Sequence, residues 1–129
     1  MNNRIVLISI FILIISCNNT ENQYKTTIDL SFLNTHPLNI ENGKQIFNKS
    51  CITCHLYGTG GATILNDKEA WSRLCREKTM EEIYLNVLNG YAGDKGPMPK
   101  KGACRDCSET DLFDAIEYML FINNLSIRN

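Results

Sequence analysis

The sequence predicts a small all-α domain of about four helices. Three observations predict it. A capping box at Thr79 and the run Ser108-Glu109-Thr110-Asp111 each open an apolar run at helical spacing. No segment between Asn39 and Asn123 alternates apolar and polar residues as a half-buried strand would. The run Cys51-Ile-Thr-Cys54-His55 sets two thiols three residues apart, on one face of a helical turn, with an imidazole directly after them.

The block before the domain has a different character. Arg4 supplies a positive charge, Ile5 to Ile15 are apolar apart from Ser9, and the run then stops. A stable membrane span needs about 20 apolar residues, so this block fits the core of a secretory signal and not a retained helix. Its end, Ile14-Ile15-Ser16-Cys17, resembles the lipobox of bacterial lipoproteins. That resemblance implies a signal peptide over 1–16 and a mature chain that starts at a lipidated Cys17, exported and tethered to a bacterial membrane. Ordinary signal cleavage, with Cys17 removed or left as a stray thiol, is the other reading.

Residues 17–38 are polar and aperiodic and read as a flexible linker, with a short extended piece at Thr27 to Leu33. Such a leash would reach roughly 75 Å when stretched and about 26 Å as a coil. His36 lies within it, and as a lone linker histidine it is expected to be exposed and not an iron ligand.

The domain proper spans 39–129. Asn39 caps a first helix to Ser50, with Glu41 in its first turn and Ile40, Gly43 and Phe47 on one face. Glycine inside a helix costs about 1 kcal/mol against alanine. Gly43 is therefore expected where another helix comes close. Gly58, Gly60 and Gly61 mark a loop, after which Asn66 is expected to cap a short helix to about Arg76 carrying Trp71, on its surface or facing the site. Thr79-Met80-Glu81-Glu82 opens a helix with Met80, Ile83, Tyr84, Val87 and Leu88 on one face, closed by Gly90. Tyr91 to Cys107 has no period and reads as a long loop, a feature that in compact domains is usually functional. Ser108 then caps a last helix whose face is Leu112, Ile116, Met119 and Leu120.

The formal charge of −1 supplies no basic footprint for nucleic acid. The chemistry lies in the C-x-x-C-H run, which is the spacing of covalent c-type haem attachment. Cys51 and Cys54 would bond the porphyrin and His55 would ligate its iron. One haem c is the expected cofactor. A sixth ligand decides between electron carrier and enzyme. Met80 and Met119 fall on apolar helix faces, where methionine is core filler. Met98 lies in Gly96-Pro97-Met98-Pro99, a stiff backbone without bulk, and is the expected second ligand. Three readings stand: a single-electron carrier with no substrate chemistry, a haem enzyme or gas sensor with an open sixth site, and a haem-free thiol or zinc protein. The last lacks the βαβ pattern that accompanies redox C-x-x-C. Cys104 and Cys107 remain as a pair, either a local disulfide pinning the Met98 loop or half of a metal site shared with Cys51 and Cys54. Cys75 is left over, as a small buried apolar residue.

From about Asn39 to Asn123 the chain resembles a class I c-type cytochrome, in particular the small bacterial cytochrome c-five branch. The matching residues are Gly43-Lys44-Gln45-Ile46-Phe47, Cys51-Ile-Thr-Cys54-His55, Gly61-Ala62, Ala70-Trp71 and Met98-Pro99-Lys100-Lys101-Gly102-Ala103-Cys104-Arg105-Asp106-Cys107-Ser108. The resemblance implies four helices wrapped around one haem, His55 and Met98 as axial ligands, a Cys104–Cys107 disulfide, and first and last helices crossing where Gly43 and Phe47 meet Tyr118. It also implies electron transfer between redox proteins of the periplasm or membrane, with a donor and an acceptor as partners. Thr63 stands where relatives have the proline whose carbonyl accepts the ring N–H of the proximal histidine, and Lys100 replaces a second proline. The family's W-x-x-R is shifted: Arg73 is one residue too close to Trp71 and Arg76 two too far. Trp71 and Arg73 are the candidate haem contacts beyond the ligands.

Overall fold

The computed structural model describes residues 29–127; the signal-like block and Cys17 lie outside the described residues. Its first element is a single turn, α1 (Phe32–Thr35), and it is packed against the domain. Leu33 is 5% exposed, and the Phe32 ring stands edge-on to Tyr84 and Phe113 with centroids 5.4 and 5.7 Å away. The flexible linker expected over 17–38 therefore does not extend through its last third, and a helical turn replaces part of the expected extended piece. Leu30, Phe32 and Leu33 are too few to show a period but enough to dock the segment on the core.

His36 is a second correction. It is not an exposed linker residue: its Nε2–H donates to Asp114 Oδ1 at 2.8 Å, and its ring lies 5.9 Å from Phe113. A partner 78 residues away leaves no local signal in the sequence.

Asn39 caps α2 (Ile40–Ile46), its side chain accepting from the Asn42 N–H at 3.1 Å. The helix does not stop at Ser50. It passes through a π-helical turn (Phe47–Cys51) into α3 (Ile52–His55). A π turn holds one extra residue, which rotates everything after it by about 100° relative to a regular helix. Gly43 and Phe47 thus serve one face and the haem-motif residues another.

α4 (Lys68–Glu77) is capped by Asp67, not by Asn66, the carboxylate accepting from the Ala70 N–H at 3.0 Å. An anion is favoured there by the helix dipole. α5 (Met80–Asn89) has the expected capping box: Glu82 N–H donates to Thr79 Oγ1 at 3.2 Å and Thr79 N–H to Glu82 Oε2 at 2.7 Å. Gly90 follows with φ 84°.

The loop after Gly90 contains strands that were not expected. β1 (Tyr91–Gly93) pairs antiparallel with β2 (Gly96–Met98), Tyr91 opposite Met98. Each strand has three residues, too short for alternation to register. A left-handed turn over Lys100–Ala103 leads to α6 (Glu109–Ile122), opened by a reciprocal Ser108–Asp111 box.

Among the described residues α2 and α6 make the most extensive helix–helix contact. A Cβ on Gly43 would overlap the Asp114 carbonyl oxygen and lie 2.8 Å from Tyr118 Cβ. Phe47 meets the Tyr118 ring one turn on, with centroids 5.5 Å apart. The need for Gly43 is the expected one. Along α6, Leu112, Ala115, Ile116 and Met119 turn one way, and Asp114, at about 200° from Ile116 on a 100° helical step, turns the other.

Candidate functional site

The inward face of α6 is one wall of a cavity of about 400 Å³. The C-x-x-C-H turn, α4, α5 and the β hairpin complete it. Cys54, His55, Trp71, Arg73 and Met98 all line this space. A smaller inner recess carries Ser50, Cys51 and Gly102 beside Cys54, His55 and Met98. Residues between Cys51 and Met98 therefore line the cavity and its inner recess together. Met119 also lines both parts, from α6, so it is a cavity wall as well as a core residue. Met80 is 8% exposed and lines neither.

His55 is oriented by backbone. Its Nδ1 lies 2.7 Å from the Thr63 carbonyl oxygen, and its own carbonyl accepts from the Leu65 N–H at 2.6 Å. A carbonyl only accepts, so the proton sits on Nδ1 and the lone pair on Nε2, the form a metal-binding histidine takes. Thr63 thus supplies the carbonyl that orients the ring. Trp71, 4% exposed, donates from Nε1 to the Ile64 carbonyl at 2.9 Å. Its ring lies 6.0 Å from that of His55. The tryptophan is buried, not on the helix surface, and it pins the loop that orients the histidine.

Cys51 and Cys54 are free thiols, both half-buried. Burial pushes the Cys51 thiol up to about 11. A redox-active C-x-x-C needs a depressed thiol so that thiolate attacks at neutral pH. Cys51 has the opposite tuning. Two thiols beside an imidazole with a free Nε2, in a cavity that also presents a thioether, are a donor set that fits haem c.

Cys104 and Cys107 are joined by a disulfide, which removes them from any metal site shared with Cys51 and Cys54. Cys75 is a free, half-buried thiol, less enclosed than expected, whose pKa burial raises. Arg73 lines the cavity, whereas Arg76 donates to Ser72 Oγ at 2.8 Å on the surface of α4.

Sequence reading missed Ser50, whose hydroxyl donates to the Gly102 carbonyl at 2.6 Å. It also missed the packing of the glycine loop on the hairpin, where a Cβ on Gly61 would overlap the Lys95 carbonyl oxygen. Neither contact has a local signature; Gly58, Gly60 and Gly61 mark the loop but not its partner.

Residues 38–119 match the family described as cytochrome c oxidase, cbb3-type, subunit III. Over 78 residues the chain is 36% identical to cytochrome c-555 of Chlorobaculum thiosulfatiphilum, covering 60% of this chain and 90% of that one. It is 35% identical to cytochrome c5 of Ectopseudomonas mendocina over 75 residues, 57% of this chain and 82% of that one. A cytochrome c solved in an electron transfer complex with nitrite reductase superposes with a TM-score of 0.57 at 28% identity, covering 67% of this chain and 99% of that one. Relatives of this kind carry one covalent haem c. This chain belongs to the cytochrome c family as a small class I cytochrome.

Proposed function

We propose that this chain is a mono-haem electron carrier in which Cys51 and Cys54 bind the porphyrin through thioethers and His55 Nε2 and Met98 Sδ ligate the iron. The observation that carries the reading is the 2.7 Å contact of His55 Nδ1 with the Thr63 carbonyl, which leaves Nε2 as the free donor in a cavity that Met98 also lines. Haem would supply the one-electron iron couple, and a thioether ligand alongside histidine would raise its potential. The protein contributes rigidity. Trp71 and Thr63 fix the imidazole, the disulfide loop presents Met98, and Arg73 offers a cation at the cavity wall for a haem propionate. With His55 and Met98 both holding the iron, no position would remain for substrate, and the chain would transfer electrons without bond chemistry.

The cavity is flanked by exposed Tyr91, and redox proteins acting as donor and acceptor are the proposed partners. The sequence of Met1 to Cys17 supports export and a lipid anchor at Cys17, with the haem domain held in the periplasm. Among the described residues no helix is long and apolar enough to cross a membrane. Labelled fatty acid should be incorporated by the exported protein and not by Cys17→Ser; labelling that survives the substitution removes the anchor.

The test of the carrier reading is the optical spectrum of the exported protein, oxidised and reduced, with and without carbon monoxide. Sharp reduced bands, a far-red thioether band when oxidised and no response to carbon monoxide are expected. Ready carbon monoxide binding would show an open iron and replace the carrier with an enzyme or sensor.

A further inference from the structure

The loop after Met98 folds back in a conformation it does not favour. Lys101, Gly102 and Ala103 are consecutive left-handed residues, with φ 55°, 58° and 66°. Only glycine adopts that region without strain, so two of the three need to be held there by their surroundings. Several bonds are internal to the loop. Gly102 N–H donates to the Pro99 carbonyl at 2.9 Å, Cys104 N–H to the Lys101 carbonyl at 3.0 Å, and Lys101 Nζ to the Cys107 carbonyl at 3.0 Å. These bonds and the disulfide fix the shape of the loop. They do not fix its place against the helix that carries the haem motif.

Two side-chain bonds reach that helix. Lys49 Nζ lies 2.8 Å from Asp106 Oδ2, but the two side chains are 46% and 75% exposed, and water and salt screen such a pair. The other is Ser50. Its hydroxyl donates to the Gly102 carbonyl at 2.6 Å, and both residues line the inner recess with Cys51, His55 and Met98. A Cβ on Gly102 would lie 3.7 Å from Met98 Cε, so the carbonyl that Ser50 holds belongs to the residue beside the thioether methyl.

We infer that Ser50 is a positioning residue: its hydroxyl clasps the left-handed turn to the haem-binding helix and thereby sets how firmly Met98 holds its place in the cavity. The inference rests on the reading of Met98 as an iron ligand. Loss of the clasp leaves the loop held by its buried cysteines Cys104 and Cys107, by its chain ends and by the screened Lys49–Asp106 pair, none of which bonds the carbonyl beside the Met98 methyl to the haem-binding helix. Met98 should then yield more readily to a competing ligand, while haem attachment through Cys51 and Cys54 continues.

The experiment uses the haem-loaded protein and three variants, Ser50→Ala, Ser50→Thr and Met98→Ala. Imidazole is titrated into the oxidised form while the thioether band is followed, and amide hydrogen exchange is measured at Gly102 and Cys104. In Ser50→Ala, half-displacement should need about tenfold less imidazole, the change that loss of one hydrogen bond produces. Exchange at the two amides should accelerate, and Ser50→Thr, which keeps a hydroxyl, should restore both. Wild-type titration in Ser50→Ala, with the band abolished by Met98→Ala, overturns the clasp and leaves the ligand assignment standing. A thioether band that survives Met98→Ala overturns the assignment, and the inference with it.

Discussion

His36 and Asp114 lie 78 residues apart and meet at 2.8 Å, tying the segment before the first long helix to the middle of the last. The carboxylate is almost wholly buried, and its other oxygen accepts from Asn42 Nδ2 at 2.7 Å. Asn42 also donates to Asp111 Oδ1 at 2.9 Å. One buried acid thus joins three segments on the face of α6 turned away from the cavity. A buried carboxylate that loses a donor keeps its desolvation penalty. His36→Ala should therefore lower stability by about 1–3 kcal/mol without altering the haem spectrum. Thermal unfolding of the haem-loaded protein measures the first and absorbance the second. An unchanged midpoint would show that the N-terminal segment is not held through this pair.

Gly43→Ala asks a different question of the same helix. Alanine favours helix over glycine by about 1 kcal/mol, so on an open helix the change would stabilise. Here the added methyl would overlap the Asp114 carbonyl and press on Tyr118 Cβ. Overpacking of a closed contact costs about 1–3 kcal/mol and should win, with net destabilisation and a displaced α6. Since α6 carries Ile116 and Met119 into the cavity, the haem spectrum should shift as well. A variant more stable than the parent would mean that the two helices part easily.

How much of this was legible in the sequence depends on range. The caps at Asn39, Thr79 and Ser108 were legible because a capping bond spans three residues, and so was the haem motif. Gly43 declared a close approach through its helical context, and family resemblance named Tyr118 as the partner. The short strands beside Met98, the π turn before Cys51, the Ser50–Gly102 bond and the docking of His36 were not legible. The strands are too short for alternation to register, and the others are decided by a partner far along the chain or by a shift of one residue that hydrophobic spacing does not resolve. The cap at Asp67 in place of Asn66 is an error of that last kind.

The three methionines of the described domain should separate cleanly. Met98→Ala should abolish the thioether band, lower the reduction potential and open the iron to carbon monoxide. Met80 is buried away from the cavity, and Met80→Ala should cost about 2–5 kcal/mol of stability with the spectrum intact. Met119 is the demanding case, because it is 4% exposed and also lines the cavity. Met119→Leu conserves volume and should leave the thioether band in place at a cost below about 1.5 kcal/mol. Loss of the band in that variant, with retention in Met98→Ala, would transfer the ligand role from the hairpin to α6.

Tyr84 sets the behaviour in alkali. The side chain is fully buried between Phe32 and Phe113, and among the described residues its hydroxyl has no hydrogen-bond partner. Burial, with a smaller contribution from Glu109, pushes its pKa from 10.0 up to about 12. The folded state thus holds the phenol neutral more strongly than the unfolded chain does. The stability linked to this group is fully present below pH 10 and is lost as pH rises towards 12, because the unfolded chain releases the proton first. Tyr84→Phe removes both the ionisation and an unpaired buried hydroxyl. At neutral pH it should be neutral or stabilising by about 1 kcal/mol. Its denaturation midpoint should also fall less steeply than that of the parent between pH 10 and 12. Parallel alkaline curves for the two proteins would assign the loss to other groups, and a destabilised variant at neutral pH would show that the hydroxyl is bonded after all.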